Sequence, residues 1–92
     1  MATQTIHAQA SGDMQVKPRG SSAKLYGIQV IVATATNPID IYDGGASGTK
    51  RFAVPASAAI GTVYNFNEPI FFNDGIFIDF NATAGTIGLV WA

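Results

Sequence analysis

A chain of 92 residues with 48% hydrophobic and only 12% charged residues, a net charge of −1 and no cysteine has room for one domain. Disulfides and thiolate-bound metal are excluded as staples. A domain this small buries roughly 60–65% of the surface its unfolded chain exposes, so association with other chains is the expected supplement to its core.

The charge is unevenly placed. Lys17, Arg19 and Lys24 against Asp13 give the first 24 residues +2, and the remainder carries −3. Three cations fall well short of a nucleic-acid footprint. The N-terminal MATQTIHAQA lacks the charged and apolar regions of a secretory signal. No run approaches the roughly 18 apolar residues of a membrane span. The expectation is a soluble protein made in a cytoplasm, with neither nucleic acid nor membrane as partner.

In chain order, Thr3 to Ala10 reads as a short polar strand, and Ser11 to Ala23 as a loop rich in Gly, Pro and Ser. Residues 1–23 are therefore expected to be an extended arm beside a domain at 24–92. Met14 and Val16, the sizeable apolar side chains of that loop, are candidate anchors on a neighbouring subunit. The alternative is a tail with no fixed path.

Leu25–Thr36 is the first long strand, rich in β-branched residues. Its alternation puts Tyr26, Ile28, Val30 and Val32 on the expected core face. Asn37-Pro38 ends it. Ile39–Tyr42 follows, and Asp43–Gly48 is a glycine-rich turn. Lys50–Pro55 is a strand, and the small residues of Pro55–Thr62 suggest a crossover between two sheets. Val63–Phe66 is a strand that Glu68-Pro69 interrupts, before Ile70–Phe72 runs into Asn73-Asp74-Gly75, a hairpin signal. Ile76–Phe80, a turn at Asn81–Gly85, and Thr86–Trp91 with Ile87, Leu89 and Trp91 on one face complete the chain.

Six or seven short strands at about ten-residue spacing predict an all-β fold, a small antiparallel β-sandwich or jelly-roll-like barrel.

Little in the chain can react. Gly45-Ala-Ser-Gly-Thr-Lys50 has the wrong glycine spacing and residue order for a phosphate loop, and a strand follows it. His7 has no cysteine to join it as nucleophile or zinc ligand, and no serine lies in a Gly-x-Ser-x-Gly elbow. Asp40, Asp43 and Asp74 read as turn-capping aspartates rather than a cation site. Asn81-Ala82-Thr83 fits a glycosylation sequon but reads as an Asx-type turn. The expectation is no enzyme, with no catalytic residue, cofactor or metal.

Eight aromatics lie between Phe52 and Trp91. Adjacent residues of a strand face opposite ways, so one each of Phe71/Phe72 and Ile76/Phe77 points out of the core. Phe71 and Phe77 join Met14 and Val16 as candidate partner contacts.

Three segments carry a resemblance: Lys24-Leu25-Tyr26-Gly27 opening a long strand, Ile41-Tyr42-Asp43-Gly44 with the turn Ser47-Gly48-Thr49, and the run from Pro69 to Ile78. Over about residues 24–91 the chain resembles small structural proteins of tailed bacteriophages. The resemblance implies a compact β-sandwich, often trimeric, that decorates and cements the head shell. The partners would be further copies of itself and the major capsid protein, and its place the surface of the phage head. A tail or fibre module that contacts a host receptor or glycan is the alternative.

Overall fold

The computed structural model describes residues 3–7, 13–32, 37–81 and 86–92, with only the backbone described for 3–7. Eight strands form in order: β1 (Thr3–His7), β2 (Asp13–Lys17), β3 (Ala23–Val32), β4 (Ile39–Asp43), β5 (Thr49–Val54), β6 (Val63–Phe72), β7 (Ile76–Asp79) and β8 (Thr86–Trp91). No helix occurs among the described residues.

The strands make two four-stranded sheets, β1-β8-β3-β6 and β2-β7-β4-β5, and every pair is antiparallel. The pairing is nested: β4 with β5, β3 with β6, β2 with β7 and β1 with β8. This is a long antiparallel ribbon whose tip is the turn at Gly44–Gly48. Rolling the ribbon up brings β8 onto β3 and β7 onto β4. The result is an eight-stranded jelly roll.

The inner faces are nearly pure aliphatic. Leu25, Ile28 and Val30 from β3, with Ile87 and Leu89 from β8, meet Ile39, Ile41, Ile76, Ile78 and Val54 of the other sheet. Phe72 and Phe80 close the two ends of this layer, both fully buried. Each such side chain contributes about 1.5–3 kcal/mol of burial. The face read for β8 is thus observed, with Ile87 and Leu89 buried and Trp91 packed against the core.

Four expectations are corrected. First, Thr3–His7 and Asp13–Lys17, expected within an arm at 1–23, are strands of the sandwich itself. β1 is the edge of one sheet and β2 the edge of the other, and Val16 packs against the core. Their polar composition suits edge strands, which need few buried side chains.

Second, β3 buries residues from both of its sequence faces. A bulge between Leu25 and Gly27 resets the alternation, so Ala23 and Leu25 share the core with Ile28 and Val30. Val32, past a second register shift against β8, is exposed.

Third, Glu68-Pro69 does not split β6. Gly27 pairs Asn65 and Leu25 pairs Ile70, so the residues between are the extra length of that bulge. An edge strand tolerates the proline there.

Fourth, Asn73-Asp74-Gly75 is not a hairpin turn, because β6 and β7 lie in different sheets. It crosses the sandwich, as Pro55–Thr62 does between β5 and β6.

Candidate functional site

Three connections meet at one end of the sandwich: Pro18–Ser22, Gly44–Gly48 and Asn73–Gly75. Gly75 has φ +91°, a conformation that lets the chain turn from one sheet to the other. A Cβ there would sit 2.5 Å from the Lys17 carbonyl oxygen and 2.6 Å from that of Pro18.

Two aspartates hold these loops together. Asp43, at the end of β4, accepts hydrogen bonds from the amides of Asn73 (2.9 Å) and Asp74 (2.8 Å) and faces Arg51 at 3.4 Å. Burial pushes the Asp43 carboxyl up, but these amides and Arg51 outweigh it and hold it below the ordinary range. Asp74 accepts from the Gly20 amide and from Arg19 at 2.9 Å, which lower its carboxyl likewise. The Gln15 side-chain amide donates to the Gly44 and Ile76 carbonyls at 3.0 and 3.1 Å, tying β2 to the same end. A cleft of about 490 Å³ lies here, and its two arginines are both engaged by carboxylates.

Beside it lies a second concavity of about 400 Å³, lined by Lys17, Lys24, Tyr26, Phe71 and Phe72 among others. Phe71 is 59% exposed. The Lys24 ammonium stands 5.5 Å from its ring centroid, and that of Lys17 5.3 Å from the ring of Trp91. Cations placed over aromatic faces in this way are held by the ring quadrupole.

The outer face of the β2-β7-β4-β5 sheet is different in kind. Asp13, Asp79 and Asp40 stand in register across β2, β7 and β4. Burial and the neighbouring Asp79 carboxyl, by hydrogen bond and by charge, raise the Asp13 carboxyl. Asp40, 6% exposed, is covered by the Asn81 side-chain amide at 2.9 Å and by Lys50 at 3.4 Å. In the next row Gln15, Phe77, Tyr42 and Lys50 follow one another, and the rings of Tyr42 and Phe77 lie 6.5 Å apart. Near this end Val32, Ile60 and Val63 are exposed, Ile60 to 70%.

The four residues expected to contact partners fall in different places. Phe71 is on the surface, Phe77 is half-buried against Tyr42, Met14 is half-buried, and Val16 packs onto the protein's own core. Gly45–Lys50 forms the β4–β5 turn and start of β5. Asp43 and Asp74 cap turns, while Asp40 lies apart from them near the opposite end. Among the described residues no three His, Cys, Asp or Glu side chains are placed to hold a metal ion. The side chain of His7, and Ala82 and Thr83 of the sequon, lie outside the described residues.

The lysine–aromatic pairs and the carboxylate row have no local sequence signal. Lys24 and Phe71 are neighbours only through the β3–β6 register, as Asp13, Asp79 and Asp40 are through theirs.

Comparison with protein-family models, curated proteins and solved structures finds no match to this chain.

Proposed function

We propose that this chain is a non-enzymatic structural protein of a tailed-phage virion, a decoration (cement) protein that oligomerises on the head shell as a trimer and stabilises it. The major capsid protein would be its partner. Attachment to several capsid subunits at once would give firm binding from individually weak contacts.

The observation that carries the reading is the exposure of large apolar side chains on a small jelly roll: Phe71, Ile60, Val63 and Val32. A 92-residue domain with so few charges gains most by covering such groups with other chains. The resemblance over residues 24–91 supports the same role.

Imaging of virions, with density assigned to this chain, tests it. Density at threefold or quasi-threefold axes of the head is expected. Density on the tail would overturn it in favour of a fibre-associated module that contacts a receptor or glycan. The aromatic pair Tyr42 and Phe77 beside Asp79 would then be the surface to examine.

A further inference from the structure

The chain has five cations. Arg19, Lys50 and Arg51 each face a carboxylate within 3.4 Å. Lys17 and Lys24 do not pair with a carboxylate among the described residues; they lie over Trp91 and Phe71. Their charge is uncompensated, and Phe71 beside them is exposed. This basic and aromatic patch sits where β2 ends and β3 begins.

The outer face of the β2-β7-β4-β5 sheet, reached from Lys17 back along β2 to Asp13, carries its chemical complement. Asp13, Asp79 and Asp40 form one cross-strand row, and Lys50 neutralises only Asp40. Like charges directly opposite one another destabilise a strand pair. Phe77 and Tyr42 occupy the next row of that face.

We propose that the two patches are the two halves of one contact between copies of this chain. Lys17, Lys24 and Phe71 of one copy seat on Asp13, Asp79 and the Phe77–Tyr42 pair of the next. A ring of three requires a contact of this kind, since a closed cyclic trimer joins two different surfaces of each copy. Burial, and then the facing Asp79 carboxyl, raise the Asp13 carboxyl. Opposite charges would steer the encounter and set its register, and the aromatic surface would supply most of the burial. The inference deepens the oligomeric part of the proposed function and rests on it.

The test uses the full chain and two surface variants, Lys24→Gln/Phe71→Ser and Asp13→Lys/Asp79→Asn, measured by size exclusion with light scattering. Circular dichroism checks that each variant is folded, with Lys24→Gln and Asp13→Asn as the milder pair. The unaltered chain should run as a closed oligomer that high salt dissociates. Each variant alone should run as a monomer. An equimolar mixture should give a dimer and nothing larger, because one intact patch of each kind remains. An unaltered chain that stays monomeric would overturn the proposal. So would variants that assemble as it does, or a mixture that stays monomeric. The readout is self-association alone, so the head location found by imaging stands or falls separately.

Discussion

At one end of the sandwich Asp43 and Asp74 face backbone amides and arginines; toward the other, Asp13, Asp79 and Asp40 face one another across three strands. The first arrangement serves the fold. Each carboxylate fixes a loop that the jelly roll must close, and its charge is compensated within the chain. The second arrangement gives Asp40 a cation in Lys50 but leaves Asp13 and Asp79 without one among the described residues. Environment alone separates a structural aspartate from one available to a partner.

The sharpest way to break the first end is Gly75→Ala. The positive φ and the two carbonyl oxygens at 2.5 and 2.6 Å leave no room for a methyl group. A loss of about 3 kcal/mol or more is expected from strain and clash together, read as a large fall in the urea midpoint. Asp43→Ala should cost about 1–3 kcal/mol, because the Asn73 and Asp74 amides lose their acceptor. Thermal melting checks it.

Titration sets the two ends against each other. Asp43 and Asp74 are held below their ordinary values, so their stabilisation is present above the unfolded pKa and is lost as pH falls through the folded values, below about pH 4. Asp13 is held above its ordinary value. Its effect has the opposite sign: stability is gained as pH falls through the raised value and is absent at neutral pH. The groups around it are Asp79 and the Phe80 amide, with Asp40 and Lys50 beyond. Denaturant melts across pH should show a shallow maximum in the mildly acidic range, and Asp13→Asn should flatten its neutral side. The smallest effect belongs to Lys24→Gln. It should change the stability of the single chain by less than about 0.5 kcal/mol while weakening self-association.

Much of the fold was legible because strand signals are local. β-branched runs, Pro38, the turn at Gly44–Gly48 and the small-residue crossover at Pro55–Thr62 each announce themselves within a few residues. What depended on pairing did not. The bulge opposite Asn65–Ile70 decides that Leu25 is buried alongside Ile28, and it exists only once β6 lies beside β3. The strong local signal of Asp74-Gly75 misled for the same reason: it marks a tight turn, but not which sheet the chain enters next. Polar β2 read as a loop because an edge strand needs little beyond Val16 on its inner side. The contact surfaces were half legible. Phe71 followed from alternation, whereas its partnership with Lys24, and the row of three aspartates, required the register.

The proposed role on the shell would require the protein to hold capsid subunits together, and the heat resistance of assembled heads would report that most directly. Heads bearing the protein should melt at a higher temperature than heads lacking it, and adding it back should restore the difference. Equal melting of the two, with the protein demonstrably bound, would contradict the account.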